Sequence, residues 1–129
     1  MKHEIRVIFG DTDQMGVVYY ANYLRFFEAG RNEFIRAKGL RYRDVEASYK
    51  LMLPVTEASV RYLQPARYDD LLLVRTTLRD MTAARATFAY RLERESDGLL
   101  LAAGTTTHAA VDGRGRPRRF PDDLRRLLT

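Results

Sequence analysis

The stretch NYLRFFEAGRNEFIRAK, residues 22–38, is the one long segment of the chain with helical periodicity. Its apolar stripe holds large aromatic side chains and one central glycine: Tyr23, Phe26, Phe27, Gly30 and Phe34. Asn22 is a residue type that caps helix N-termini, so we expect the helix to begin with Asn22 as its cap. Because Gly30 has no side chain, the stripe predicts a buried helix that lies close against the backbone of a sheet.

Five strands are predicted around this helix. Two stretches read as strands and three more alternate apolar and polar residues with a period of two: residues 2–9, 52–63, 72–78, 86–92 and 99–111. The Asp97-Gly98 pair predicts a tight turn that joins the last two strands as an antiparallel hairpin. A short helix is expected at about residues 122–128. The order of elements predicts an α+β fold, with one antiparallel sheet wrapped around one helix.

Composition indicates one domain over residues 1–129, since 46% of the residues are hydrophobic and 30% are charged. Cysteine is absent and the only histidines are His3 and His108. This excludes a disulfide framework and a thiolate nucleophile, and it disfavours a catalytic metal. No apolar run approaches the ~20 residues that span a bilayer, and the N-terminus carries charges where a signal peptide would be apolar. We therefore expect a soluble, cytoplasmic protein with no membrane partner.

The charge is basic, with 22 Lys and Arg against 17 Asp and Glu, and 19 of the basic residues are arginines. Arginine forks bind phosphate, so the excess suits a phosphate-bearing ligand, nucleic acid or solubility alone. The basic residues are dispersed, and no alternation of aromatic and basic residues typical of an RNA-binding module is present. We therefore do not expect a nucleic-acid partner.

The segment GDTDQMGVVYYANY, residues 10–23, carries the groups best suited to chemistry. It combines two carboxylates, Asp11 and Asp13, with a glycine for a sharp turn at Gly16. It leads into the N-terminus of the predicted helix, where backbone N–H groups have no intrahelical partner. Such donors stabilise a bound anion or the oxyanion that forms when a carbonyl is attacked. The segment thus places an anionic group beside an electrophilic one.

Residues 11–28 follow the pattern D-x-D-x-x-G-V-V-Y-Y-A-N-Y-x-x-F-F-E. This pattern resembles the signature of hotdog-fold acyl-CoA thioesterases of the 4-hydroxybenzoyl-CoA thioesterase family. The stretches RYLQPARYDDLLLV (61–74) and HAAVDGRGRPRRFP (108–121) extend the resemblance over nearly the whole chain. The resemblance implies a hotdog fold with five antiparallel strands around the long helix. It also implies dimers with a continuous sheet, often assembled into tetramers, and active sites between protomers.

Roles for individual residues follow from the same resemblance. It implies that Asp13 is the catalytic carboxylate and that the backbone N–H of Tyr20 polarises the thioester carbonyl. Arg85, in the stretch DMTAARATF, resembles basic residues that contact the phosphates of CoA, whereas Arg61, Arg79 and residues 114–119 are weaker candidates. A carboxylate with an ordinary pKa near ~4 is ionised at pH 7 and can either attack a thioester or deprotonate a water. Both roles stay open for Asp13, and neither needs a cofactor.

Other polar and aromatic residues have simpler interpretations. We expect the Asp11 side chain to bond the backbone of its own turn. We expect Tyr19 and Tyr23 to be core or pocket-wall aromatics, because a phenol titrates near ~10. Glu28 lies on the polar face of the helix, so an ion pair is expected there rather than catalysis, although a rival branch of hotdog thioesterases uses a helix glutamate. His108 is expected to be a hydrogen-bonded structural histidine.

The leading function is hydrolysis of an acyl-CoA to free CoA and a carboxylic acid. A hotdog protein that binds an acyl group or acyl-CoA without cleaving it is the alternative, but it has no need of a carboxylate beside a helix N-terminus. A hotdog dehydratase is disfavoured, because its site calls for a histidine near the helix start.

Overall fold

The computed structural model describes residues 1–129 and contains five β-strands and three α-helices. The strands are β1 (Lys2–Arg6), β2 (Val55–Tyr62), β3 (Leu71–Met81), β4 (Arg85–Arg94) and β5 (Leu100–Ala109). The helices are α1 (Asn22–Ala37), α2 (Tyr42–Tyr49) and α3 (Asp122–Leu128). None of these helices combines the length and the hydropathy that crossing a bilayer requires.

The strands form one sheet in the order β1-β3-β4-β5-β2, and every neighbouring pair is antiparallel. The hairpin between β4 and β5 closes through the predicted Asp97-Gly98 turn, where Gly98 has a φ of +70°. β1 and β2 are the two edges. The α+β fold class, the five-stranded antiparallel sheet and the single long helix are confirmed.

Helix α1 buries the aromatic stripe that its sequence predicted, because the sheet curves around it. The Phe27 ring stacks on Tyr90 of β4 with centroids 4.6 Å apart, and the Phe34 ring meets Phe88 of the same strand edge-on. Phe26 and Phe27 are completely buried. Burial of each such side chain stabilises the fold by about 1.5–3 kcal/mol. The stripe therefore attaches the helix firmly to the sheet.

At Gly30 the helix lies close against side chains of β3. A Cβ at this position would lie 2.5 Å from Cγ1 of Val74 and 2.7 Å from Oγ1 of Thr76, both on β3. Carbon atoms in contact normally lie ~3.5–4.0 Å apart, so only glycine fits here. A close approach at Gly30 is confirmed, but the atoms that approach belong to the side chains of Val74 and Thr76 and not, as was predicted, to the sheet backbone.

Several predicted strand ends were wrong. β1 ends at Arg6 instead of residue 9, because Phe9–Asp11 form a 3-10 turn in which Oδ2 of Asp11 accepts the N–H of Ile8 at 3.0 Å. β2 begins at Val55, after Pro54, which has no N–H to donate. β5 ends at Ala109, and Val111 beyond it forms only isolated bridges.

The helix predictions also need two corrections. Asn22 does not cap α1: Ala21 is the N-cap residue and makes no side-chain cap bond, and the Asn22 amide donates instead to the carbonyl of Asp11 at 2.9 Å. Helix α2 was not predicted, because Val45 is its only buried residue and it has no apolar stripe. It is stabilised by Asp44, which accepts the backbone N–H of Arg41 at 3.2 Å.

Substitution of Gly30 by alanine should lower the free energy of unfolding by at least about 1 kcal/mol. The added methyl overpacks the contact with β3, which outweighs the roughly 1 kcal/mol that alanine adds through helix propensity. Urea denaturation of the parent and of Gly30→Ala measures the difference. Gly113→Ala is the matched control, because a Cβ at residue 113 meets no atom within 4 Å and its φ is not positive. A Gly30→Ala variant as stable as the parent would contradict this account of the helix contact.

Candidate active site

Asp11 ties the loop between β1 and α1 to the first turn of the helix. Its carboxylate forms an ion pair with Arg25 of α1 and accepts the N–H of Ile8. Its carbonyl accepts the N–H of Tyr19 and the side-chain amide of Asn22, each at 2.9 Å. The Asp11 side chain is almost fully buried and its charge is paired, so it has a structural role. The expected bond of Asp11 to its own turn is confirmed.

Asp13 opens the tight turn that follows. Its N–H donates to the carbonyl of Val17 at 2.9 Å, its own carbonyl accepts the N–H of Gly16 at 3.0 Å, and Gly16 has a φ of +80°. The Asp13 Oδ1 atom accepts the N–H of Met15 at 2.9 Å. The Oδ2 atom makes no hydrogen bond or ion pair within the chain, and the residue is half-buried. Asp13 therefore has a fixed backbone and one carboxylate oxygen without a partner.

The start of α1 presents unused backbone donors close to this turn. The N–H groups of Tyr20 and Ala21 donate to no atom of the chain. The carbonyl of Tyr20 accepts the hydroxyl of Tyr62 from β2 at 2.9 Å, which fixes the peptide on the other side of the residue. Free N–H groups at a helix N-terminus attract an anion or a developing oxyanion. A carboxylate and two such donors thus belong to one short loop.

The tyrosines of the loop have different surroundings. The neighbouring phenol of Tyr20, with smaller effects of burial and of the Asp13 carboxylate, raises the pKa of Tyr19 above its ordinary value. Tyr19 therefore stays protonated at neutral pH and does not serve as a base. Tyr23 is buried, and its hydroxyl accepts the N–H of Ala66 at 3.1 Å. The interpretation of Tyr23 as a core aromatic agrees with these contacts, whereas Tyr19 is 44% exposed and is not part of the core.

Two cavities flank the start of α1. One, of about 280 Å³, is mostly apolar and is lined by the rings of Tyr20, Tyr23 and Tyr62. The other, of about 370 Å³, is a groove between α1 and the edge strand β2, lined by Leu24, Arg25, Glu28, Arg31, Val55, Ala58 and Thr106. We call this second cavity the α1–β2 groove. Both cavities are close enough to the helix start to receive parts of a ligand bound there.

Arg85 is not brought near Asp13 within one chain. It is the first residue of β4, exposed and without an ion pair, at the turn that follows β3. The Asp13 loop contacts the residues just before β3, because Val18 N–H donates to the carbonyl of Ala66 at 2.8 Å. The 11 residues of β3 separate the two positions by about 30 Å, from the rise of a strand. Arg61 and Arg79 lie together on another surface, around a shallow concavity on the sheet.

Glu28 and His108, for which structural roles were expected, both have partners. Glu28 lies on the α1–β2 groove with its Oε1 atom 3.7 Å from Nη2 of Arg31, so the expected ion pair is confirmed. His108 is buried, and its ring nitrogens contact Oγ1 of Thr106 at 2.8 Å and the carbonyl of Leu53 at 2.9 Å. Burial lowers the pKa of the His108 imidazole, so the ring is neutral at pH 7. His108 is the satisfied structural histidine that was expected.

Three groups around the site were missed in the sequence. The side chains of Arg25 and Arg31 and the hydroxyl of Tyr62 were not singled out. Helical spacing places Arg25 and Arg31 on the face of Glu28. The partners of Arg25 and of the Tyr62 hydroxyl come from the loop at 7–21, and no local pattern identifies them.

Comparisons with known structures identify the fold. The crystal structure of 4-hydroxybenzoyl-CoA thioesterase matches with a TM-score of 0.91 at 21% identity, over 100% of this chain and 98% of that one. A crystal structure of the hypothetical protein TT1821 from Thermus thermophilus matches with a TM-score of 0.92 at 39% identity, over 98% of this chain and 95% of that one. The sheet wrapped around α1 is therefore the hotdog fold, as expected.

Sequence comparison identifies the family. An acyl-CoA thioesterase, YbgC of Haemophilus influenzae, is 35% identical over 122 residues, which are 94% of this chain and 88% of that protein. The family model of the thioesterase-like superfamily matches residues 7–128. The chain belongs to the thioesterase-like superfamily.

Proposed function

We propose that this protein is an acyl-CoA thioesterase, formed by one hotdog domain over residues 1–129, that hydrolyses an acyl-CoA to free CoA and a carboxylic acid. Membership of the thioesterase-like superfamily and the similarity to the Haemophilus protein support a thioester hydrolase. One observation carries the proposal. The same loop holds Asp13, which keeps one unbonded carboxylate oxygen, and the free N–H of Tyr20 at the start of α1.

The chemistry follows from these two groups. The Tyr20 N–H donates to the thioester carbonyl oxygen and stabilises the negative charge that develops there during attack. The Asp13 carboxylate either attacks the carbonyl carbon or removes a proton from the attacking water. In both routes the C–S bond breaks, and the sulfur of CoA leaves and is protonated. If Asp13 attacks, its oxygen forms a mixed anhydride with the acyl group, and a water then cleaves this anhydride to give the carboxylic acid and free Asp13. If Asp13 acts as a base, the deprotonated water adds directly to the acyl carbon, and its oxygen ends in the carboxylic acid. Neither route requires a metal or a cofactor.

The fixed geometry of the loop favours this assignment over Asp11. The Asp11 carboxylate is buried and forms the ion pair with Arg25, so using it as a nucleophile would break that pair. Asp13 gives up no ion pair on meeting a substrate, because it has none in the chain. Its backbone is held by the turn that Gly16 closes, so its side chain is presented with little loss of entropy.

Replacement of Asp13 and Tyr20 should have very different effects on turnover. Asp13→Asn keeps the size of the side chain and removes its charge, so kcat for an acyl-CoA should fall at least ~100-fold. Tyr20→Phe removes the phenol and keeps the backbone N–H, so kcat should stay within about tenfold of the parent. A thiol-release assay over short aliphatic to aromatic acyl-CoAs measures both variants.

Two results would contradict the assignment. If Asp13→Asn kept most of its turnover, Glu28 on the α1–β2 groove would be the next carboxylate to test. A folded Tyr20→Phe variant as inactive as Asp13→Asn would bring the phenol into the mechanism. A parent protein that binds acyl-CoAs but releases no thiol from any of them would instead be a binding protein.

We also propose that the protein assembles as a homodimer, or as a homotetramer built from two dimers. β2 is an edge strand, and nearly all of its residues are exposed in the single chain, among them Val55 and Tyr62, which are about half exposed. An uncovered edge with exposed apolar residues readily pairs with a second strand. Pairing of β2 with its copy in a second chain would continue the sheet across the dimer.

The same assembly gives Arg85 a function. Arg85 is exposed, has no ion pair and lies far from Asp13 of its own chain. A second chain is therefore needed for it to approach an active site. We propose that Arg85 binds a CoA phosphate through its guanidinium fork at a site shared between chains.

Sedimentation equilibrium at micromolar concentration tests the assembly. We expect a species of two or four chains, since each chain has a mass of 15.0 kDa and an exposed β2 edge. A single species of 15.0 kDa at all concentrations would contradict both the dimer and the role of Arg85.

A further inference from the structure

A series of hydrogen bonds, buried except at its Arg31 end, runs from the α1–β2 groove along the helix-facing side of the sheet. Nη1 of Arg31 lies 3.4 Å from the Tyr90 hydroxyl, which is 2.6 Å from Oγ1 of Thr106. Thr106 lies 2.8 Å from Nε2 of His108, whose Nδ1 is 2.9 Å from the carbonyl of Leu53. Tyr90, Thr106 and His108 are each at most 4% exposed. These hydrogen bonds have no part in the chemistry assigned to Asp13.

The groups at the two ends of this hydrogen-bond series determine which group donates in every bond between them. The carbonyl of Leu53 only accepts, so Nδ1 of the neutral His108 carries the proton and Nε2 accepts. Thr106 must then donate to His108, and Tyr90 must donate to Thr106. The Tyr90 hydroxyl therefore donates its hydrogen to Thr106, and its oxygen accepts a hydrogen bond from the Arg31 guanidinium.

Arg31 has few partners for a buried charge. Its side chain is only 12% exposed, yet its one hydrogen bond is the long contact with Tyr90. The Glu28 carboxylate is 3.7 Å away, beyond hydrogen-bond distance, and its own side chain is 62% exposed. A guanidinium has five N–H donors, and leaving them unpaired away from water is unfavourable. The donors that remain border the α1–β2 groove, whose lining includes Arg31.

The α1–β2 groove extends along α1 from the turn after Tyr20 to Arg31. Leu24 lines the groove one helical turn after Tyr20, and Arg31 lines it seven residues further along α1, about 10 Å by the helical rise. Between these points the walls include the apolar side chains of Val55 and Ala58 on β2. The other arginine of the groove, Arg25, is already neutralised by Asp11. Arg31, whose ion pair with Glu28 is long and includes no hydrogen bond, is thus the cation at the far end of this groove, which begins one helical turn after Tyr20.

We infer that Arg31 determines acyl specificity: the groove takes an acyl group that is apolar in its middle and carries a hydrogen-bond-accepting oxygen at its far end, where Arg31 binds it. Tyr90 is a positioning residue, because its oxygen accepts from Arg31 while Thr106 and His108 fix its own hydrogen. The accepting oxygen can belong to a terminal carboxylate or to a ring hydroxyl. This inference rests on the proposed thioesterase function and adds the class of acyl group.

Two matched substrate pairs test the role of Arg31. Suberoyl-CoA and octanoyl-CoA differ in a terminal carboxylate, and 4-hydroxybenzoyl-CoA and benzoyl-CoA differ in a ring hydroxyl. The parent protein should prefer the oxygen-bearing member of at least one pair by about tenfold or more in kcat/KM. Arg31→Met removes the donors and keeps an unbranched stem, so it should bring that ratio to within about threefold of one. The pair that carries the preference distinguishes a carboxylate from a hydroxyl.

Further variants separate recognition from folding. Tyr90→Phe removes the only hydrogen-bond partner of Arg31 and should lower the same ratio severalfold, and it tests the inference if Arg31→Met does not fold. Arg36→Met is the matched control, since Arg36 lies on α1 but outside the groove and pairs with Glu33 at 3.3 Å, and it should keep the parent ratio.

The outcomes are distinct. Hydrolysis by the parent without preference in either pair, or an unchanged ratio in Arg31→Met, would overturn the role of Arg31 alone. A parent that hydrolyses none of these four acyl-CoAs but releases thiol from a shorter one would overturn this inference and leave the proposed function standing, whereas a parent that releases thiol from no acyl-CoA would overturn both.

Discussion

The contact between α1 and β3 at Gly30 is the constraint on which the other features depend. With Val74 and Thr76 so close to the helix backbone, no side chain can occupy this position. The close approach lets the sheet enclose the aromatic stripe, and it sets where the N-terminus of α1 lies. The loop from β1 meets the helix at that end. The Asp11–Arg25 ion pair and the bond from the Tyr62 hydroxyl to the Tyr20 carbonyl then hold loop, helix and β2 together.

Two aspartates only two residues apart have opposite surroundings in this loop. Asp11 is buried, and both of its carboxylate oxygens are bonded, so its charge stabilises the local structure. Asp13 is half-buried and keeps one free oxygen beside the turn. Because Arg25 forms its ion pair with Asp11, the Asp13 carboxylate has no ion pair that a substrate would have to break. The structural carboxylate thus leaves the second one available for chemistry.

Local patterns in the sequence were sufficient for the elements with strong periodicity. The spacing of aromatics in α1, the alternation in β3 to β5 and the Asp97-Gly98 turn each follow from geometry within a few residues. Helix α2 was missed because it buries only Val45, and the capping role of Asn22 was wrong because its amide bonds a carbonyl 11 residues earlier. The groups proposed to act in the site, Asp13 and the Tyr20 N–H, share one loop, so a local motif was sufficient to nominate them. The hydrogen bonds that connect Arg31 with the Leu53 carbonyl join separate elements of the fold, so no local sequence pattern predicts them.

The central claim is that a thioester carbonyl binds at the Tyr20 N–H beside Asp13. A crystal structure of the Asp13→Asn variant soaked with a slowly hydrolysed acyl-CoA tests this most directly. The account predicts a thioester oxygen about 3 Å from the backbone nitrogen of Tyr20, with the substituted amide side chain next to the carbonyl carbon or to a water that faces it. A thioester bound away from the start of α1, for example against Glu28, would contradict it.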